Sequence, residues 1–174
     1  MQDTRYDRLS VVLHWLMAAL LLAQLALGIW MTGLPKDGSG VRAWWFNQHK
    51  SLGMVLGLLV LLRLAWALLR PRVPPLAQGA ARQRLASGAH RLLYALMLLV
   101  PLAGFLGSVF SGYPIRFYGL LLPQWSGRWD AAKALMAGVH HWSAWALLAL
   151  AVLHVAATAH HQLVLRDGAL RRMR

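Results

Sequence analysis

The sequence predicts an all-α integral membrane protein, a bundle of four helices that each cross a bilayer. Three observations predict it. Four apolar runs each approach or exceed the roughly 20 residues that a spanning helix needs. Of the 174 residues, 59% are hydrophobic and 13% charged. That charged fraction is about half the usual share of a soluble domain, leaving too little polar surface to cover a globule in water. Lys and Arg outnumber Asp and Glu by 18 to 5, and on so apolar a chain such an excess marks membrane flanks rather than a nucleic-acid surface. The same hydrophobicity excludes a disordered chain. Without cysteine there is no disulfide, thiolate metal site or cysteine-linked cofactor, and the eight histidines are the plentiful metal-capable side chains.

Residues 1–174 read as one domain with helices at about 9–33, 48–69, 90–111 and 134–164. The first lies in a stretch free of Asp, Glu, Lys and Arg from Leu9 to Pro35. Its apolar part exceeds the roughly 7–15 residues of a signal-peptide core, and Asp3 and Asp7 occupy the would-be basic leader, so it is expected to remain as a span. The second, SLGMVLGLLVLLRLAWALL, is interrupted by Arg63, and the third, LLYALMLLVPLAGFLGSVF, contains Pro101. The fourth falls within the charge-free stretch from Ala134 to Leu165. In the last loop the patch FYGLLLPQW reads as a short re-entrant or interfacial element. Trp30, Trp44, Trp45, Trp125 and Trp129 all fall near boundaries on one side, as an aromatic belt requires.

Orientation follows from the basic residues. The N-terminus, second loop and C-terminus hold Arg5, Arg8, Arg70, Arg72, Arg82, Arg84, Arg91, Arg166, Arg171, Arg172 and Arg174. The first and third loops hold Lys36, Arg42, Lys50, Arg116, Arg128 and Lys133. The positive-inside rule then puts both termini in the cytoplasm.

An ionisable side chain at membrane depth is costly and points to a task. His14 lies about one turn inside the cytoplasmic end of the first helix, and His49 lies at the outer start of the second. His140, His141, His154, His160 and His161 are spread along the fourth, where the spacing of His140 and His154 is informative. Fourteen residues at about 100° each return to within about 40° of the same face, with the two rings about 21 Å apart along the axis. His141 is turned about 100° from His140, which makes it the poorer choice, and the doubled pair rests on this phase alone. Two levels result, His14 with His154 near the cytoplasm and His49 with His140 near the outer surface. Bis-imidazole ligation of the iron of two haems b, stacked inside the bundle, accounts for both levels. His90, His141, His160 and His161 are expected at helix ends, hydrogen-bonded where water is available. Arg8 and Arg63 are placed to meet propionates at the cytoplasmic level, Arg63 from deeper in its helix.

The segments YDRLSVVLHW, HKSLGMVLGLLVLLRL, YALMLLVPLAGFLGS and GVHHWSAWALLALAVLHVAATAHH together resemble the bacterial cytochrome b561 family over nearly the whole chain. These are small four-helix di-haem inner-membrane cytochromes. The resemblance implies non-covalent haem b, electron exchange with the quinone pool, and haem ligation at His14, His49, His140 and His154. It also implies a free-standing superoxide:ubiquinone oxidoreductase that takes electrons from periplasmic superoxide. More distant members of the resemblance are cytochrome subunits that drain hydrogenases and dehydrogenases, which supplies an alternative. A reading from another class is a metal transporter with a histidine-lined path, against which the spans contain no Asp or Glu.

Overall fold

A computed structural model of the chain describes residues 5–70, 73–74 and 79–173. Four long helices follow one another: α1 Arg8–Thr32, α2 Val41–Leu69, α3 Ala80–Val109 and α4 Asp130–His160. All four are long and apolar enough to cross a membrane. α1 packs on α2, α2 on α3, and α3 most extensively on α4. Antiparallel helical neighbours of this kind are what short connections produce. Two helices start earlier than the apolar runs suggest, α2 at Val41 rather than about 48 and α3 at Ala80 rather than about 90. Hydropathy marks only the stretch that needs lipid, whereas backbone hydrogen bonding continues into a polar or aromatic first turn.

The side chains face the way a bilayer dictates. Leu58, Leu61 and Leu62 on α2 and Val152, Leu153 and Val155 on α4 are exposed, while Met17, Leu56, Val60 and Leu147 are buried between helices. Three buried serines bond within their own helices: Ser51 to the Asn47 carbonyl at 2.9 Å, Ser108 to that of Gly104 at 3.1 Å and Ser143 to that of Val139 at 2.6 Å. In a medium without water this keeps a hydroxyl tolerable. Trp30, Trp44, Trp125 and Trp129 are exposed at one end, with the Trp45 ring 4.9 Å from that of Trp30.

The ends of α1 are closed by side chains. At its C-terminus Arg42 Nη1 donates to the carbonyls of Met31, Thr32 and Leu34 at 3.3, 3.0 and 2.6 Å, supplying the hydrogen bonds that a helix end lacks. At its N-terminus the Asp7 carboxylate accepts from the Ser10 N–H at 2.9 Å, the Ser10 hydroxyl at 2.6 Å and the Trp66 indole at 3.0 Å. Partial burial alone would raise this carboxyl. The bonds from Ser10 and Trp66 outweigh it and hold the pKa at about 2. Asp7→Ala is expected to cost about 1 kcal/mol, a typical N-cap loss. Because the folded value lies below the ordinary aspartate value of about 3.9, the contribution is complete above that value and is lost as pH falls towards about 2. Unfolding curves of the wild type and Asp7→Ala in detergent should therefore be separate at neutral pH and converge in acid.

Between α3 and α4, at the start of the patch FYGLLLPQW, lies a hairpin. β1 (Arg116–Phe117) pairs antiparallel with β2 (Leu120–Leu121). Tyr118 and Gly119 both take positive φ, 45° and 96°, as a two-residue type I′ turn requires. Ile115 is buried beneath it, and the Ser51 hydroxyl accepts from the Tyr118 N–H at 2.9 Å, which docks the hairpin on α2.

At the opposite end the termini meet. The Tyr6 N–H donates to the Arg172 carbonyl at 3.1 Å, the Trp15 indole to the Met173 carbonyl at 3.0 Å, and the Arg172 guanidinium to the Pro74 carbonyl. Tyr6, Trp15, Pro74, Arg172 and Met173 thus share one face. Of the arginines counted for that face, Arg72 and Arg174 lie outside the described residues.

Candidate functional site

The helices bring four of the eight histidines together in two pairs. Near the face that carries the termini, the ring centres of His14 on α1 and His154 on α4 are 6.4 Å apart. Near the hairpin, His49 on α2 and His140 on α4 are 6.1 Å apart. Two imidazoles on one metal, each bonded at about 2.0 Å through a nitrogen about 1.1 Å from its ring centre, put the centres about 6 Å apart. The observed separations, 6.4 and 6.1 Å, are compatible with that distance. Among the described residues no three His, Cys, Asp or Glu side chains converge on a metal position. Each pair could offer two imidazoles to a group that brings its other donors with it, as a haem would.

Around the outer pair the packing is suited to flat rings. A Cβ on Gly104 of α3 would stand 2.9 Å from His140 Nδ1, and one on Gly28 of α1 would stand 3.1 Å from His49 Cε1. His140 Nδ1 lies 2.8 Å from the Val100 carbonyl. It must donate there, since a carbonyl only accepts, and the proton so placed leaves Nε2 as the free lone pair. This is the usual orientation of a metal-ligating histidine. His141 turns outward, its ring 5.2 Å from Trp142 and 6.4 Å from Trp145, so His140 is the member of the doublet that faces His49.

The inner pair is built differently. Arg63 Nη1 is 3.1 Å from His14 Nδ1, and Arg63 Nε donates to the Tyr94 hydroxyl at 2.9 Å. A guanidinium has no acceptor, so His14 Nδ1 accepts here. Arg8 is exposed in the first turn of α1, and it is Arg63 that reaches a histidine. His90 departs from the sequence expectation. Because α3 begins at Ala80, His90 sits about three turns inside the helix rather than at its end. Its ring centre is 5.4 Å from that of His154, and its Nδ1 is 2.7 Å from the Ala86 carbonyl. At the end of α4, His161 Nδ1 meets Asp167 at 2.5 Å.

Over the outer pair the surface is cationic. A cavity of about 480 Å³ between α2, the hairpin and α4 is lined by Lys50, Arg116 and Lys133, with Phe46 and Tyr113 among its walls and no carboxylate. Of the other cations on that side, Arg42 is engaged on the end of α1 and Arg128 on Asp130 at 2.9 Å.

Four helices long enough to span a membrane, with imidazoles paired at two levels, are what a membrane cytochrome of the b type requires. The chain belongs to the prokaryotic cytochrome b561 family, whose model matches residues 5–174. It is 31% identical to cytochrome b561 homolog 2 of Escherichia coli K12, covering 97% of this chain and 90% of that protein. It is 29% identical to cytochrome b562 of Cereibacter sphaeroides, covering 99% and 96%. The protein is thus a multi-pass, haem b-binding cytochrome of transmembrane electron transfer.

Proposed function

We propose that the chain holds two haems b, one between His14 and His154 and one between His49 and His140, and moves electrons across the bacterial inner membrane from superoxide outside to ubiquinone. The single observation that carries this reading is the pairing of four imidazoles at two depths with ring centres 6.4 and 6.1 Å apart. The haems supply one-electron redox chemistry at each depth. The chain's own part is to hold, orient and tune. At the outer level Val100 fixes the tautomer of His140, and Gly28 and Gly104 leave room for both rings. At the inner level a His14 ring engaged through Nε2 carries its proton on Nδ1, and Arg63 then loses its acceptor. Freed from His14, the guanidinium is placed to neutralise a propionate. Arg63→Leu is expected to weaken retention of the inner haem roughly 10- to 100-fold, the scale of one charge-assisted hydrogen bond. Titration of apoprotein with haem checks this, with unchanged retention counting against the role.

The cytoplasmic orientation of both termini rests on the arginine-rich face where the chain ends meet. Quinone reduction consumes protons as well as electrons, and His90, exposed beside His154, offers a free ring nitrogen at that level. On the outer side the Lys50, Arg116 and Lys133 cavity favours a small anionic donor, raising its encounter rate roughly 10-fold or more at low ionic strength. Reduction of the purified cytochrome by a superoxide flux is expected to slow as salt rises. Lys50→Glu should slow it further with both haems retained. A salt-independent rate, or no reduction by superoxide, removes superoxide as donor.

A further inference from the structure

Two buried polar atoms near the outer pair have no hydrogen-bond partner among the described residues: Gln24 Oε1 and His49 Nδ1. They are complementary. Oε1 can only accept, and Nδ1 can donate when the ring proton sits there. They also share one neighbourhood, because Gln24 Nε2 donates to the His49 carbonyl at 2.7 Å. Gln24 and Gly28 are one turn apart on α1, and both reach His49. Gly28 packs against the ring, where a Cβ would be 3.1 Å from Cε1 and 3.7 Å from Nδ1. On the other side of the bundle α3 serves His140 with the same two devices. Gly104 makes room for the ring, and the carbonyl of Val100, also one turn away, takes the Nδ1 proton. At His49 the room is present and the amide is in place, but its acceptor oxygen and the ring nitrogen are each left unpaired.

We propose that Gln24 is the positioning residue for His49, its Oε1 accepting the Nδ1 proton, directly or through one water, when Nε2 is committed to iron. The proposal rests on the assignment of His49 and His140 to the outer haem. An isolated amide in the apolar interior of α1 is costly to bury. Its placement is accounted for if it fixes the tautomer and orientation of a ligand, as the outer partners of metal-bound histidines do. An acceptor on Nδ1 makes the imidazole a stronger donor to iron and favours the oxidised state. Removing the acceptor should therefore raise the reduction potential of that haem, and replacing it with a carboxylate should lower it.

The test is a redox titration of detergent-purified wild type, Gln24→Met and Gln24→Glu, followed optically and by low-spin electron paramagnetic resonance, with haem content measured for each. The outer haem is identified as the signal lost in His49→Ala. Gln24→Met should favour its reduced state about tenfold, which for a one-electron couple is about 59 mV. Gln24→Glu should move it in the opposite direction, and the inner signal should stay in place in both. Loss of the outer haem in Gln24→Met with retention in Gln24→Glu supports the same role. Shifts of equal sign, equal loss in both variants, or an outer potential within twofold of wild type in Gln24→Met would overturn it. Wild-type protein holding fewer than two bis-imidazole haems overturns the parent assignment instead, so the two failures are distinguishable.

Discussion

Replacing His49 by alanine is expected to halve the haem content of the purified protein, from two per chain to one, and to leave the inner low-spin signal unchanged. His140→Ala should have the same effect on the same signal, because the two rings face each other at 6.1 Å on α2 and α4. His14→Ala and His154→Ala should remove the other signal, since their rings meet 6.4 Å apart at the opposite end of the bundle. The effect is large because an axial ligand contributes a metal bond directly, whereas even its outer partner is worth roughly 10- to 100-fold in metal affinity. A pyridine haemochrome assay with paramagnetic resonance on all four variants reads the pairing. His141→Ala is the internal control. Its ring stacks edge-on against Trp142 and Trp145 and faces away from His49, so both haems should survive. At the inner level His90 makes the outcome less symmetrical. Its ring centre is nearer to that of His154 than the ring centre of His14 is. In His14→Ala, His90 is the neighbour placed to substitute, and a shifted inner signal in place of a lost one would identify it. Loss of both haems in every single variant would point to one shared site and remove the two-level arrangement.

How much of this was legible in the sequence depends on which force fixed each feature. The four helices follow from apolar length alone, since a backbone in lipid has to satisfy its own hydrogen bonds. The meeting of His140 and His154 with partners at two depths follows from helical phase and rise. Helix starts are less legible. Arg82 and Arg84 lie outside the apolar run, but α3 continues through them from Ala80, and this places His90 further inside its helix than hydropathy suggests. The choice of glycines was illegible for another reason. Gly53, Gly57 and Gly138 stand near the histidines in sequence. In the fold, a Cβ at Gly53 would meet Gln24, one at Gly57 would meet Pro101, and one at Gly138 would meet nothing within 4 Å. The glycines that touch the rings, Gly28 and Gly104, belong to the helices that carry neither outer ligand, and only interhelical packing reveals them. Gln24 did leave a sequence signal, a lone amide within an apolar run, which is costly enough at membrane depth to require a reason. The contact of Arg63 with His14 joins two helices, and neither helix's periodicity encodes it.

Gly104→Ala is expected to deplete the outer haem although it adds a single methyl group and removes no ligand. The new Cβ would stand 2.9 Å from His140 Nδ1 and 3.1 Å from Cε1, closer than such atoms approach without something moving. The ring has little freedom to give way. Its Nδ1 is held 2.8 Å from the Val100 carbonyl one turn earlier on the same helix, so the methyl group and that hydrogen bond compete for one place. Moving the ring breaks the bond that sets its tautomer and displaces it relative to His49, whose own ring is packed against Gly28. Loss of such an outer partner costs roughly 10- to 100-fold in metal affinity. Partial occupancy of the outer site, with the inner one full, is therefore the expected reading of a haem titration. Gly138→Ala separates this from a general effect of filling glycines in a membrane helix. Gly138 has open space at its Cβ position, and alanine is the better helix former by about 1 kcal/mol, so this variant should keep both haems and be no less stable. Full outer occupancy in Gly104→Ala would mean that the His140 ring is free to rotate, and that the Val100 carbonyl does not hold it.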